Sequence, residues 1–170
     1  FKANIHMIYF EINTQDVQSL LEGIVQKLEN RRALMNNLAR ILGNAVDDNF
    51  AANGRPGWQA LKYPRVRGGS GILQSSGILR NSIHTQADND TAVIGTNIKY
   101  AAIHHFGGQT RPHLIRPKNG KALKFGGRFA KKVNHPGSKM PARPFMVLQP
   151  EDEQDLADAV RDYLARAIGD

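Results

Sequence analysis

The 170-residue sequence contains no cysteine, which excludes disulfide bonds, thiolate nucleophiles and zinc sites built on cysteine. It also lacks any apolar run close to the roughly 20 residues that a membrane-spanning helix needs. Its first residues do not form a signal-peptide pattern, since Glu11 and Asp16 interrupt the apolar residues there. These absences favour a protein made inside a cell that does not enter a membrane.

Motifs for catalysis are missing as well. The adjacent His104 and His105 would point about 100° apart on a helix, so they could not easily chelate one metal ion. There is no H-E-x-x-H motif, no G-x-S-x-G motif and no recognisable pair of carboxylates for acid–base chemistry. We therefore expect no enzymatic activity, no metal site and no cofactor.

What the sequence does have is an uneven positive charge, with a net charge of +8 and a pI near 10.0. Residues 107–143 contain no Asp or Glu, whereas the last twenty residues, from Glu151 onwards, are net acidic. The basic residues of this stretch are Arg111, Arg116, Lys118, Lys121, Lys124, Arg128, Lys131, Lys132, Lys139 and Arg143. Such a stretch can bind nucleic-acid phosphates, an acidic protein or an acidic patch on another copy of the chain.

Apolar residues spaced three and four apart predict helices over residues 17–28 and 34–50, with a bend or break at 30–32. A third helix is predicted to begin at Glu151, after Pro150. We expect the apolar stripes of the first two helices to pack in the core. The length fits a single domain over residues 1–170. Residues 8–12 could form an edge strand, and residues 1–6 precede a natural initiator, Met7, so they could be an added segment.

The middle of the chain predicts β-structure. Residues 79–86 and 91–94 flank the polar sequence 87–90 and predict a β-hairpin. Tyr100, Ile103 and Phe106 recur at helical spacing and predict a short helix that ends at Gly107-Gly108.

Glycines and prolines punctuate residues 107–140, so we predict a protruding basic loop or hairpin there. Within it, residues 113–115 and 122–125 could pair with each other. The last predicted strand is 145–148, and Pro141 and Pro144 would present Arg143 stiffly before it.

Several of these pieces together resemble the phage virion-morphogenesis family, which includes the tail completion proteins of tailed phages. The resemblance covers residues 20–164. Its most recognisable part is the sequence Pro-Ala-Arg-Pro-Phe at 141–145, and a glycine precedes the tryptophan at Gly57-Trp58. The run His104-His105-Phe106-Gly107 matches a histidine, a polar residue and then Phe-Gly in the family.

The resemblance implies an α+β fold in which N-terminal helices and a C-terminal helix pack on a small antiparallel sheet, with a long basic loop or hairpin extension. It also implies a structural protein of the virion tail or neck, assembled in the bacterial host cytoplasm, that completes the tail or joins head to tail. The expected partners are further copies in a ring, six being plausible, the tail tube or its terminator, and neck or head-completion proteins. A prophage-encoded copy would look the same.

We expect an interface formed by Arg143, Pro144, Phe145, Tyr100, His104, Phe106, Lys121, Lys124, Arg128, Lys131 and Lys132. We expect a structural core that includes Trp58, Leu79, Ile83, Ile103 and Leu148. His105 is expected to be solvated.

A rival hypothesis is a nucleic-acid-binding protein that uses residues 107–143 as a basic arm. It is weakened because the arm's only aromatic residues, Phe125 and Phe129, do not make the interleaved stacking platform that single strands require. A metal-dependent hydrolase would rest on the histidines alone.

Overall fold

The part of the chain that the computed structural model describes, residues 15–62, 71–118, 120–125 and 127–169, folds as α+β. The helices are α1 Gln15–Glu29, α2 Arg32–Ala51, α3 Ile78–Asn81, α4 Ala101–Phe106 and α5 Pro150–Gly169. The strands are β1 Ile83–Ala87, β2 Ala92–Thr96, β3 Gly108–Gln109, β4 His113–Ile115, β5 Leu123–Phe125, β6 Arg128–Ala130, β7 Val133–His135 and β8 Lys139–Met140. The predictions for residues 1–6 and 8–12 lie outside the described residues.

The core forms between α2, the loop that carries Trp58, the short helices α3 and α4, and Phe145. Phe50 is fully buried at its centre, with its ring 5.7 Å from Trp58 in an edge-on contact and 5.5 Å from Phe145. Aromatic rings in such arrangements add attraction beyond the burial of their area. The cluster consists of Val46, Phe50, Trp58, Leu79, Ala101 and Phe145. The core positions predicted for Trp58 and Leu79 are therefore confirmed.

The hairpin β1–β2 packs on α2 and also fixes the break between the first two helices. Its strands are antiparallel, with Ile83 opposite Thr96. At its turn, the Asn89 side chain donates a hydrogen bond to the Glu29 carbonyl and accepts one from the Arg31 backbone. The predicted hairpin is confirmed, but its first strand begins only at Ile83 because the residues before it form α3.

Residues 108–140 form one long, interrupted β-hairpin, which we call the arm. Gly108 pairs with Met140 and His113 with His135 in a single continuous register. In the outer ladder Leu123 pairs with Ala130, so the register has shifted by five residues. The predicted hairpin extension is confirmed, but the pairing of 113–115 with 122–125 is wrong. Each of these segments instead pairs with the returning strand, as expected for a hairpin closed at its tip.

Two glycines allow the arm to fold tightly at its base. Gly107 has φ 73°, and a Cβ atom there would lie 2.7 Å from the Ala142 nitrogen. Gly137 has φ 89°, and a Cβ atom would lie 2.0 Å from the Thr110 carbonyl oxygen. A larger residue at either position would combine an unfavourable backbone conformation with a backbone clash. Only glycine fits this junction between the arm and the body.

Residues 141–149, which we call the return segment, connect the arm to α5 and are not a strand, contrary to the prediction for 145–148. Phe145 is buried in the core, but Leu148 remains 37% exposed, so its assignment to the core is wrong. Ile83 is half-buried and packs against the central cluster. Ile103 is half-buried too, beside Gly108. The return segment forms no β-ladder. Its carbonyl groups instead accept hydrogen bonds from side chains, as described below.

Helix α1 does not place its apolar stripe in the core, so this prediction is wrong as well. Val17, Leu20, Leu21 and Val25 are each more than half exposed. The half-buried residues of the helix are Gly23, Ile24 and Leu28, and Tyr163 of α5 donates hydrogen bonds to the backbone carbonyls of Lys27 and Asn30. In contrast, the stripe of α2 is buried through Leu34, Ala39, Ala45, Val46 and Phe50.

Candidate assembly surfaces

The return segment is held by Asn49, a fully buried residue of α2 that the sequence analysis did not single out. Its Nδ2 donates hydrogen bonds to the carbonyl oxygens of Phe145 at 3.0 Å and Val147 at 2.8 Å. Its Oδ1 accepts a bond of 2.9 Å from Arg55 Nε. Every polar atom of this amide therefore has a partner, as a buried polar group requires. No sequence pattern marks such a residue, because an Asn within an apolar stripe only interrupts the hydrophobic periodicity.

Arg55 extends this network to the C-terminal helix. Its Nη2 contacts both carboxylate oxygens of Asp152, at 3.0 and 2.8 Å, and also donates to the Ala45 carbonyl at 3.0 Å. Its Nη1 lies 3.3 Å from the exposed carboxylate of Glu151. Asp152 is buried, and it also accepts a bond from the Gln149 backbone. The start of α5 is thus fastened to α2, through Arg55 of the loop that follows α2, by a partly buried ion pair that has further hydrogen bonds.

Arg143 is buried, with 5% exposure, so the expectation that it is presented outward is wrong. Its Nε and Nη2 donate to the carbonyl oxygen of Gln59, at 3.2 and 3.0 Å. Its backbone nitrogen donates to the His104 carbonyl at 2.8 Å. Burial lowers the pKa of the Arg143 guanidinium from its usual high value. The residue joins the loop after Trp58 to the return segment, and a partner carboxylate would have to displace Gln59 to reach it.

Of the two neighbouring histidines, His105 contacts the return segment with its side chain. His105 Nδ1 accepts long hydrogen bonds from the backbone nitrogens of Phe145, at 3.3 Å, and Met146, at 3.4 Å. Its ring packs edge-on against Phe145. His105 is therefore half-buried and not solvated as expected, because its nitrogen and its ring both have partners in the return segment.

Burial lowers the pKa of His105, and burial followed by repulsion from Arg143 lowers the pKa of His104. The Nδ1 atom of His104 is buried without a hydrogen-bond partner among the described residues. Its ring contacts Tyr100 edge-on. Both imidazoles are thus favoured in the neutral form, which suits a packing role.

Of the aromatic candidates for the interface, Phe106 is the most accessible, with 78% of its surface exposed, and Tyr100 is 43% exposed. Both are on or beside α4 at the base of the arm. Pro144 is half-buried and its carbonyl accepts a 3.0 Å bond from Trp58 Nε1. Phe145 belongs to the core, so it cannot contact a partner in the folded chain. The accessible aromatic surface at this junction therefore comes from α4.

The arm carries many exposed basic side chains. Five of the predicted interface residues lie in the arm, and all five side chains are exposed: Lys121, Lys124, Arg128, Lys131 and Lys132. Arg111, Arg116, Lys118 and Lys139 are exposed too. Among the described residues, none of these nine forms an ion pair. Lys124 lies 5.7 Å from the centre of the Phe129 ring, an aromatic group that is itself 69% exposed.

A complementary acidic surface lies between α2 and α5. Asp48 of α2 and Asp155, Asp158 and Asp162 of α5 line one groove with Arg40. Only Asp158 among these carboxylates is paired in the described structure, with Arg161. The molecule therefore exposes a basic arm and a separate acidic groove.

The described residues contain no cluster of three or more side chains that could hold a metal ion. Two histidines, His113 on β4 and His135 on β7, stack with their ring centres 5.0 Å apart. His135 Nδ1 already accepts a bond from the Gly137 nitrogen. None of the described helices is long and apolar enough to cross a membrane.

The described residues thus form a body of helices with a small hairpin, from which a second hairpin, the arm, carries exposed basic side chains. The model of the phage virion morphogenesis family matches residues 12–165. The chain belongs to the phage virion morphogenesis family.

Two curated relatives agree with this assignment. The chain is 35% identical over 163 residues to "Mu-like prophage FluMu G protein 2" of Haemophilus influenzae, covering 95% of this chain and 99% of the relative. It is 31% identical over 149 residues to "Putative capsid assembly protein G" of Escherichia phage Mu, covering 81% of each protein. No solved structure matches the chain.

Proposed function

We propose that this protein is a non-enzymatic component of a tailed phage or prophage particle that completes the tail and joins it to the head, as a ring of identical subunits. The single observation that carries the proposal is the arm, whose nine exposed basic side chains have no acidic partner among the described residues of their own subunit. Charges left unpaired in this way are available for contacts between subunits or with a partner.

Ring closure through unlike patches is compatible with the distribution of charge. A head-to-tail contact joins two different surfaces of the same subunit. The basic arm of one copy and the acidic groove between α2 and α5 of the next are such a pair. The exposed Phe106 and Tyr100 at the base of the arm would supply apolar contact area beside it. Tail-tube, terminator, neck and head-completion proteins are the further partners expected.

The test is complementation of a phage that lacks this gene, using Lys131→Glu/Lys132→Glu in the arm. We expect free heads and free tails in place of joined particles by electron microscopy. The matched control is Lys99→Glu, which reverses an exposed charge outside the arm and should leave particle yield unchanged. A normal yield of joined particles from the arm variant would remove the arm from this function.

A second candidate function is DNA binding by the arm, favoured by the same unpaired charges. It is distinguished by measuring the mass in solution at several salt concentrations, with and without duplex DNA. A ring that forms without DNA supports assembly, and it should weaken at high salt if the arm and the acidic groove join the copies. A monomer that binds DNA with an affinity falling steeply with salt supports the second candidate.

A further inference from the structure

The acidic groove between α2 and α5 adjoins a second cavity of different character, which we call the side pocket. The groove has a volume of about 350 Å³, and among the described residues five aspartates and one basic residue, Arg40, line it. The side pocket has a volume of about 310 Å³, and its lining includes Ala33, Leu34 and Tyr163, together with Arg166. The two cavities share three lining residues: Asn37, Ala159 and Asp162. A surface that suits cations therefore lies next to one that suits an apolar group.

The outer ladder of the arm, β5–β6, combines an exposed aromatic ring with positive charge. Phe129 pairs with Lys124, so the two side chains stand on the same face of the ladder, and Lys124 Nζ lies 5.7 Å from the ring centre. The half-buried pair Leu123 and Ala130 occupies the other face. Phe129 remains 69% exposed, so its own subunit covers little of the ring. Three exposed basic residues lie close to it in the sequence: Arg128, Lys131 and Lys132.

We propose that the outer ladder of one copy binds the groove of a neighbouring copy, with Phe129 inserted into the side pocket and Lys131 and Lys132 beside the aspartates. This inference rests on the proposed function and deepens it by naming the residue that anchors the arm. The charges of the two surfaces are complementary, since residues 107–143 contain no Asp or Glu. Three aspartates of the groove form no ion pair among the described residues: Asp48, Asp155 and Asp162.

The lining of the side pocket suits an aromatic ring. Leu34 and Tyr163 offer apolar and aromatic contact, and a guanidinium such as that of Arg166 stacks on the face of an aromatic ring. An aromatic side chain that fills a pocket and is surrounded by polar contacts is the usual centre of a protein interface. The ring therefore supplies the affinity of this contact, and the charges around it supply the orientation.

A second copy fits the groove better than nucleic acid or the subunit's own arm. Aspartates repel phosphates, so nucleic acid could bind the arm but not the groove. Within one subunit, no ion pair joins the arm to the groove among the described residues, and Phe129 is exposed. Each subunit therefore has both halves of the contact available, which is what a head-to-tail assembly requires.

The absence of cysteine makes a direct test possible, since an introduced cysteine is the only thiol in the chain. Lys124→Cys, which keeps the Phe129 ring, is mixed with Ala33→Cys at the exposed wall of the side pocket and treated with a short bis-maleimide crosslinker. An affinity tag on one variant identifies the mixed dimers. We expect them to form at least tenfold faster than mixed dimers of Lys124→Cys with Gln86→Cys, at an exposed position of β1. Equal rates would overturn the proposal.

A second variant tests the anchor by removing it. With Phe129→Ala, we expect the protein concentration needed for assembly, measured by light scattering, to rise at least tenfold, with an unchanged circular dichroism spectrum. Leu114→Ala removes an exposed apolar side chain from β4 in the inner ladder and should leave that concentration unchanged. An assembly that is unaffected by Phe129→Ala would overturn the inference. So would a wild type that remains monomeric and loses its affinity for duplex DNA in Phe129→Ala, because the ring would then serve nucleic acid.

Exchange of the charges tests whether the two surfaces meet each other. Asp155→Lys/Asp162→Lys in the groove is expected to prevent assembly, as is Lys131→Glu/Lys132→Glu in the arm. Combining the four changes in one chain should restore assembly, because each surface then carries the charge that its partner lost. A combined variant that assembles no better than either double variant would contradict the contact.

The contact and the proposed function can fail separately. Folded Phe129→Ala monomers that still join heads to tails in a complemented phage would support the contact and contradict a functional ring. A ring that is unaffected by Phe129→Ala, with the arm charge-reversal variant unable to join heads and tails, would retain the proposed function and remove this contact.

Discussion

The arm and the return segment follow each other in the sequence, yet the environments of their basic side chains are opposite. In the arm every basic side chain is exposed and unpaired within the described structure. In the return segment Arg143 is buried and donates to a carbonyl group, while the nearby Arg55 pairs with a buried carboxylate. The same residue type therefore stabilises the subunit in one region and remains available for partners in the other. The difference is set by the availability of acceptors: Arg143 and Arg55 have a carbonyl group and a carboxylate within reach, whereas the basic side chains of the arm have no acidic partner among the described residues.

The sharpest test of the stabilising region is Asn49→Ala. It removes the donors to Phe145 and Val147 and the acceptor of Arg55, and it leaves those buried groups without partners. We expect a loss of about 3 kcal/mol in the free energy of unfolding, since each buried group left unsatisfied costs on the order of 1–3 kcal/mol. Urea denaturation measures it. Asn44→Ala, at an exposed position of the same helix, is the control. Equal midpoints for the two variants would contradict the assigned role of Asn49.

Arg143→Ala is expected to have a smaller but clear effect on stability. The variant loses both guanidinium contacts to Gln59, and hydrogen bonds from charged groups contribute about 1.5–3 kcal/mol. Arg111→Ala in the arm should stay within about 0.5 kcal/mol of the wild type, as exposed substitutions usually do. Thermal unfolding of the pair compares the two regions directly. If Arg143→Ala melts like the wild type, the side chain acts outside the subunit after all.

Acid should weaken the return segment before it affects the arm. The pKa values of His104 and His105 are lowered in the folded state, so folding favours their neutral forms. This contribution is complete above the unfolded pKa of about 6.5 and is lost as the pH falls below it towards the folded values. Melting temperatures between pH 8 and pH 5 should therefore decline below about pH 6.5. The decline should be smaller in His105→Gln, and His84→Gln at an exposed position of β1 should keep it.

The smallest change in stability is expected for charge reversal in the arm. Lys131→Glu/Lys132→Glu breaks no ion pair, so its free energy of unfolding should differ from the wild type by no more than about 0.5 kcal/mol. Limited proteolysis of the monomer should cut within residues 107–140 first in both proteins. Resistance of that stretch in a monomer would show that the arm packs on the body, and would remove the contrast between the two regions.

Local patterns predicted those elements whose partners lie close in the sequence. The stripe of α2, the polar turn at Asp88 and the glycines that end α4 were sufficient to place a helix, a hairpin and the start of the arm. Arg143 was misplaced because its acceptor is a backbone carbonyl 84 residues away, which no side-chain pattern reveals.

Asn49 was missed for a similar reason, since its partners are backbone carbonyls of the return segment. The prediction for helix α1 was wrong for a different reason. Periodicity shows that a helix has an apolar face, but it does not say whether that face meets the same chain or another copy.

The way the return segment is attached also determines how the protein would respond to mechanical pulling. Tension applied at the tip of the arm enters the body through α4 on one strand and through the return segment on the other. The return segment is tied by side-chain donors, Asn49 Nδ2 and Trp58 Nε1, that originate from α2 and the loop after it. Pulling would therefore load these hydrogen bonds and the hydrophobic cluster behind them at the same time. The hydrogen bonds of a β-ladder would instead break one pair after another. We therefore expect the junction between the arm and the body to resist such pulling.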